Sequence, residues 1–150
     1  MRFYKISSDK KRHLDLLLIG DEQEDMIDRY LEQGEMWVLD DGGVKAVCVL
    51  TDEGDGILEI KNLAVVPGFQ RQGYGRMMID FVAKQYANYP ILRVGTGESP
   101  LTMPFYHSCG FKDVGRIKKF FVENYDHPVI EAGVMLEDMV ILERRNNEFK

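Results

Sequence analysis

The sequence has few cysteines, no long apolar run and no excess of basic residues. Its two cysteines, Cys48 and Cys109, are too few for a disulfide framework. It contains no run of about eighteen apolar residues, which a transmembrane helix requires. Residues 1–6 do not have the apolar core and small-residue cleavage site of a signal peptide. We therefore expect no membrane partner and a cytoplasmic location.

The charge of the chain argues against a nucleic acid as its main partner. The formal net charge is −6, whereas a phosphate backbone requires a basic protein face. The three histidines lie far apart, without the spacing of metal ligands, so we expect no metal. With 150 residues, 45% of them apolar, the chain fits a single domain over residues 1–150.

The apolar pattern changes its period around a pair of glycines. Residues 57–66 are mostly apolar and partly β-branched, which predicts a strand. An apolar stripe with the spacing of a helix follows, and it consists of Tyr74, Met77, Met78, Phe81, Val82 and Tyr86. Gly73 and Gly75 stand where this helix begins. Since glycine inside a helix costs about 1 kcal/mol relative to alanine, a pair at this point requires a reason.

Anion binding is one such reason. The first turn of a helix has unpaired N–H groups, and the helix dipole adds positive potential there. Without Cβ atoms these groups are accessible to a phosphate, and Arg71 and Arg76 add charge. The order of residues differs from the Walker loop and from the dinucleotide-binding fingerprint. The alternative is a strand-to-helix turn whose glycines serve tight packing.

The rest of the chain predicts an α+β fold with a mixed, mostly antiparallel sheet. The 57–66 and 91–95 strands, joined by the glycine-loop helix, should form a parallel pair with a right-handed crossover. Asp21 is the expected N-cap of the second helix, and the charged tail from Glu143 is expected to fray. The predicted strands are 2–6, 36–39, 44–50, 57–66, 91–95, a strand beginning at 111–114, and 134–142. The predicted helices are 14–19, 22–33, the one from residue 74, and 99–109.

Three ordered motifs resemble the GNAT family of N-acetyltransferases. Residues 70–75, QRQGYG, are similar to that family's acetyl-CoA pyrophosphate loop, Q/R-x-x-G-x-G/A. Residues 105–111, FYHSCGF, resemble its F-Y-x-x-x-G-F segment. Glu59 lies eleven residues before Gln70, the separation between general base and loop in histone-type members. The resemblance extends over about residues 36–142.

The resemblance implies a three-layer fold with two splayed parallel strands and acetyl-CoA as co-substrate. By resemblance, the Leu63 N–H binds the thioester oxygen, Ala64 and Val65 bond the pantetheine arm, and the Tyr106 hydroxyl protonates the leaving thiolate. Ser99 stands near the position where many relatives have an asparagine that holds the pantetheine. The residues that the resemblance assigns to the pyrophosphate are Gln70, Arg71, Gln72, Gly73, Tyr74, Gly75 and Arg76.

Two of these assignments have a plain structural alternative. An amine with a pKa near 10.4 must lose a proton before it attacks, and a carboxylate in an apolar strand suits that task. Glu59 is the candidate base, although its alternation with apolar neighbours also fits a solvent-facing strand residue. Tyr106 is the candidate acid, and the alternative is an aromatic packing residue on a short helix.

The acceptor is expected to be a small-molecule or peptide amine. The long connection 116–133 contains aromatic and acidic residues, which would suit a cationic amine, although packing against the sheet or a homodimer partner would also use them. We expect an N-acetyltransferase in which a primary amine attacks acetyl-CoA directly. The alternatives are an acetyl-Cys109 intermediate and a CoA-binding module without turnover.

Overall fold

Seven strands form one mixed sheet through the middle of the protein. The computed structural model describes residues 1–146. The strands of this sheet are β1 (Arg2–Ile6), β2 (Glu35–Asp40), β3 (Val44–Gly54), β4 (Ile57–Val65), β5 (Ile91–Gly97), β6 (Lys112–Ile117) and β9 (Met139–Arg145). Their spatial order is β1-β2-β3-β4-β5-β9-β6, and β7 (Ile130–Glu131) and β8 (Val134–Met135) form a separate hairpin.

Helices cover both faces of the sheet. The helices are α1 (Leu14–Gly20), α2 (Glu24–Ile27), α3 (Tyr74–Gln85), α4 (Thr102–Ser108) and α5 (Phe120–Asn124), with a 3₁₀ turn at Lys10–His13. The α3 helix buries Met78 and Val82 in one apolar cluster with β4 and β5, as its stripe predicts. The α1 helix buries Leu16 and Leu17 in a second cluster on the opposite face. The predicted α+β, three-layer architecture is confirmed.

The parallel strands β4 and β5 separate after four residue pairs. Their pairing runs from Ile57 with Ile91 to Ile60 with Val94. Beyond this point β4 pairs only with β3, and β5 pairs only with β9. The predicted splay of the parallel strands is therefore present, and it opens a cleft in the sheet between residues 61–65 and 95–97.

A β-bulge at Lys61 changes which side chains of β4 face each layer. The pairing with β3 shifts register here, because Val49 pairs with Asn62 while Leu50 pairs with Ile60. Ile60 packs in the cluster under α3, whereas Asn62 donates a hydrogen bond to the Leu17 carbonyl on the other face. The bulge thus reverses the alternation of the strand, as an inserted residue must.

The predicted second helix and its predicted N-cap were both wrong. The helix expected over 22–33 is only the short α2, and Gln23 rather than Asp21 occupies the N-cap position. Asp21 lies two residues before the N-cap position, and its carboxylate instead accepts hydrogen bonds from two tyrosines, Tyr30 and Tyr125.

The C-terminal region also differs from the prediction. The strand expected over 134–142 is divided between β8 and β9, and β9 continues to Arg145 instead of fraying from Glu143. Glu143 forms an ion pair with Arg93 of the neighbouring strand at 2.8 Å, which anchors this end of β9. The remainder of the predicted tail, residues 147–150, lies outside the described residues.

Candidate active site

The splayed strands open into a cavity of about 880 Å³. It extends from the start of α3, past the edges of β4 and β5, to the β7–β8 hairpin. Its volume lies within the range of pockets that enclose small molecules. Within residues 1–146, no helix is long and apolar enough to cross a bilayer. The same part of the chain contains no group of three or more His, Cys, Asp or Glu side chains that could hold a metal ion.

One end of the cavity is formed by free backbone amides. Gly73 is the N-cap residue of α3 and has a left-handed conformation with φ of 93°. No acceptor within residues 1–146 uses the N–H groups of residues 70–76. Gln70, Arg71, Gly73, Gly75 and Arg76 line the cavity here. Free amides at a helix N-terminus, with arginine charge nearby, are an arrangement that suits a phosphate group.

Two residues of the predicted loop lie outside this lining. The Gln72 side chain donates to the Gly68 carbonyl at 3.5 Å. The Tyr74 hydroxyl donates to Asp41 in the β2–β3 turn at 2.8 Å. Their side chains therefore hold the loop in place, and only their backbone N–H groups remain available to a ligand.

Gly75 serves packing as well as access. A Cβ atom at this position would lie 3.0 Å from the Phe105 ring of α4. The close approach of α3 and α4 brings the Arg76 guanidinium to Ser108, where it donates to the carbonyl at 3.0 Å and to the hydroxyl at 2.8 Å. Both interpretations of the glycine pair, anion access at Gly73 and tight packing at Gly75, thus have support in the geometry.

Tyr106 is a buried residue that lines the cavity. The ring is buried and packs edge-on against Phe105 and Phe111. Its hydroxyl makes no hydrogen bond to any described residue. Burial raises the pKa of the phenol above its ordinary value of 10.0, so the group keeps its proton. The structure brings Tyr106 together with Leu63, Ala64 and Val65 around one cavity.

Glu59 is not among the residues that line the cavity. It pairs with Arg93 of β5 in the sheet register, before the two strands separate. Its carboxylate also forms an ion pair with Lys61 at 2.7 Å. The assignment of Glu59 as the base stays a prediction, and its position in the paired part of the sheet does not favour it.

Ser99 and Cys109 are likewise absent from the lining. The Ser99 hydroxyl is buried and accepts hydrogen bonds from the Leu101 and Thr102 amides at the start of α4. Cys109 is buried in the main apolar cluster, and burial raises the pKa of its thiol. A thiol that stays protonated and lies away from the cavity is a poor nucleophile.

The other end of the cavity is acidic and aromatic. Asp21 accepts hydrogen bonds from Tyr30 at 2.9 Å and from Tyr125 at 2.5 Å, and burial raises the pKa of its carboxyl. Glu22 forms an ion pair with His127 at 2.8 Å. These contacts join the α1–α2 turn to residues 118–138, which we call the insert. The sequence analysis missed this role of Asp21 and the place of Asn62 in the lining, although an asparagine within an apolar strand is itself a signal.

Comparisons with known proteins identify the family of the chain. Residues 32–113 match the family model described as an acetyltransferase (GNAT) domain. The uncharacterized N-acetyltransferase YvbK of Bacillus subtilis is 34% identical over 132 residues, covering 85% of each chain.

Solved structures show the same fold. A GNAT family acetyltransferase from Elizabethkingia anophelis, solved with acetyl-CoA bound, has a TM-score of 0.89 and 31% identity, covering 96% of this chain and 97% of the other. A Bacillus subtilis acetyltransferase in complex with CoA has a TM-score of 0.86 and 28% identity, covering 96% and 97%.

Proposed function

The chain belongs to the GNAT family of N-acetyltransferases, and on that premise we propose that it transfers an acetyl group from acetyl-CoA to a primary amine by direct attack. One observation carries the proposal: the free N–H groups of residues 70–76 open into the same cavity as the Tyr106 hydroxyl. A diphosphate bound by these amides would direct the rest of the coenzyme along the cleft between β4 and β5.

The residues present fit the coenzyme. The amides of residues 70–76, together with Arg71 and Arg76, would hold its diphosphate. Beyond the last β4–β5 pair, the β5-facing edge of Ala64 and Val65 is open to the cavity and would hydrogen-bond the pantetheine arm as an added strand does. Bound acetyl-CoA supplies an acetyl group activated as a thioester.

Tyr106 and Leu63 would serve the reaction itself. The Tyr106 phenol keeps its proton, so it can donate that proton to the departing sulfur. The Leu63 N–H would bind the carbonyl oxygen as it gains negative charge. Ser99 would act only indirectly, since its hydroxyl fixes the first turn of α4, the helix that carries Tyr106.

The proposal is tested by following free CoA thiol and N-acetylated product together. Wild-type protein is incubated with acetyl-CoA and a panel of primary amines, and products are identified by mass spectrometry. We expect thiol release to depend on the amine and to equal amide formation. Cys109→Ala should retain the wild-type rate, because direct attack needs no acyl-enzyme. An acetylated Cys109 peptide, or failure of calorimetry to detect acetyl-CoA binding, would contradict the proposal.

A further inference from the structure

We propose that Glu131 binds the ammonium group of the acceptor and takes its proton, and that the acceptor is a primary amine on an apolar body. The inference rests on the proposed function, which it deepens by assigning the base and the substrate class.

Glu131 is placed at the cavity by the β7–β8 hairpin. It is the last residue of β7, directly before the turn at Ala132 and Gly133, both of which have positive φ. The hairpin is closed by a hydrogen bond from the Leu136 N–H to the Val129 carbonyl at 2.8 Å. Leu136 packs closely on Gly97 of β5, since a Cβ atom added to Gly97 would lie 2.3 Å from the Leu136 side chain. This contact fixes the hairpin over the open end of the cleft.

Glu131 differs from the other two carboxylates that line the cavity. Asp21 is already bonded to Tyr30 and Tyr125, and Glu22 is paired with His127. Within residues 1–146, no cationic side chain pairs with Glu131. A carboxylate at the cavity with no cationic side chain beside it is available to a cationic ligand, whose charge would offset the cost of its partial burial.

The surroundings of Glu131 suit a base. Burial raises the pKa of its carboxyl, and the nearby Ser99 hydroxyl offsets only part of that rise. The titratable groups that face it are Glu22, whose negative charge raises its pKa further, and Tyr106. The two groups thus suit separate tasks: the Glu131 carboxylate can accept a proton, and the Tyr106 phenol can donate one.

The chemical step balances with these two groups. The ammonium gives one proton to Glu131, and the neutral amine attacks the thioester carbonyl carbon. A C–N bond forms and the C–S bond breaks. Tyr106 protonates the leaving sulfur and recovers a proton from the attacking nitrogen. The net change converts the ammonium and acetyl-CoA into an amide, CoA thiol and one proton.

The residues around Glu131 define the rest of the acceptor. Phe121, Val129 and Leu136 form a small buried apolar cluster, against which Phe120, Tyr125 and Met139 pack. Most of this cluster also lines the cavity. The site therefore combines a carboxylate that has no cationic partner with an apolar wall, which matches an alkyl or arylalkyl primary amine rather than a polyhydroxylated one.

Binding is tested first, without turnover. In the presence of CoA, calorimetry compares 2-phenylethylamine with the uncharged 2-phenylethanol. Wild-type protein should bind the amine at least about tenfold more tightly, which equals about 1.4 kcal/mol. Glu131→Gln should remove this preference while leaving the affinity for CoA unchanged. The matched control is Glu137→Gln, since Glu137 lies on the same insert but is exposed and outside the cavity.

Kinetics provide the second measurement. With the fastest amine of a panel of alkyl and arylalkyl amines, wild-type kcat/KM should rise with pH through the pKa of Glu131 and then level off. Near neutral pH, the kcat/KM of Glu131→Gln should be about 10²-fold or more below that of wild type. The kcat/KM of this variant should not level off, but should rise about tenfold per pH unit up to the pKa of the amine.

Any of four results would overturn the inference. Two concern the base: an unchanged preference and pH profile in Glu131→Gln, or loss of the acidic limb in Glu59→Gln instead. Two concern the acceptor: acetylation only of polyhydroxylated amines, or of no panel member although CoA binds. Absence of CoA binding would instead defeat the proposed function, so the two failures are distinguishable.

Discussion

Tyr106 is a buried tyrosine whose hydroxyl has no bonding partner among the described residues, so removing that oxygen tests chemistry more than stability. We expect Tyr106→Phe to lower kcat about 10²-fold, the lower end of what a general acid contributes. The affinity for CoA and the melting temperature should change little. Steady-state kinetics and calorimetry check both statements.

The control is Tyr89→Phe, which removes a tyrosine hydroxyl that bonds Asp52 on the surface, outside the cavity lining. Its kcat should equal that of wild type. An equal kcat in Tyr106→Phe would leave the ring with a packing role only.

Gly73 and Gly68 allow backbone strain to be separated from ligand binding. Both have φ of 93°, a conformation that costs other residues about 1–2 kcal/mol. Gly73→Val and Gly68→Val should therefore lose similar stability. Only Gly73 lines the cavity, so only Gly73→Val should weaken CoA binding, by about tenfold or more, or about 1.4 kcal/mol. Thermal unfolding and calorimetry measure the two effects, and equal CoA affinities in both variants would contradict this assignment.

Individual residues of the site differed in how well the sequence predicted them. The glycine loop was predictable because the strand, turn and helix signals lie next to one another within residues 57–86. Glu59 was chosen by its separation from Gln70, but separation along the chain does not show that β4 and β5 still pair at that position. Nor does it show the bulge at Lys61, which depends on the partner strand β3.

Among the elements, the insert depends most on contacts distant in sequence. Its α5 helix has only five residues and would be marginal alone. Tyr125 and His127 attach it to Asp21 and Glu22, about a hundred residues earlier. The sequence predicted a long functional connection here but not its helix and hairpin, because these short elements are stabilised by tertiary contacts rather than by local propensity.

The attachment through His127 should depend on pH. Hydrogen bonds to Asp126 and Glu22 raise the pKa of His127 above its ordinary value of 6.5. A raised folded-state pKa means that the stabilisation is complete below about pH 6.5 and is lost as the pH rises through the higher folded value. Amide exchange in residues 120–135, corrected for intrinsic rates, should therefore be better protected at pH 6 than at pH 8.5.

His127→Gln should remove this difference. His107→Gln is the control, since His107 is exposed and bonds Asp113 outside the insert. If the pH difference persists in His127→Gln, another group governs the insert.

For the whole molecule, acetyl-CoA should act as a stabilising ligand, because its proposed site joins α3, both splayed strands and α4. At about a hundred times its dissociation constant, a ligand that binds only the folded state adds about 2.7 kcal/mol. For a chain of this length that corresponds to a rise in melting temperature of about 5–10 °C. Differential scanning calorimetry measures the shift.

Acetyl-pantetheine, which lacks the diphosphate, is the matched ligand for this measurement. At the same concentration it should give a much smaller rise, since it cannot use the amides of residues 70–76. An equal rise with both ligands would show that these amides do not contribute to binding.

The whole fold was more predictable than its acceptor end. The order of strands and helices follows from periodicities of two and 3.6 residues, each set by local sequence. The acceptor end is formed by the α1–α2 turn and the insert, which are about a hundred residues apart in the sequence and are joined by tertiary contacts.

The separation of β4 and β5 leaves a short strand edge in the interior of the sheet. Exposed strand edges are the places where separate protein molecules add to one another and aggregate. This edge spans only residues 61–65, is closed at one end by the pairs up to Ile60 and Val94, and is flanked by β3 and β9. An edge this short offers few backbone groups to a strand from another molecule, whereas a short extended ligand needs only a few. The protein can thus leave backbone N–H and C=O groups unpaired for a ligand without promoting its own aggregation.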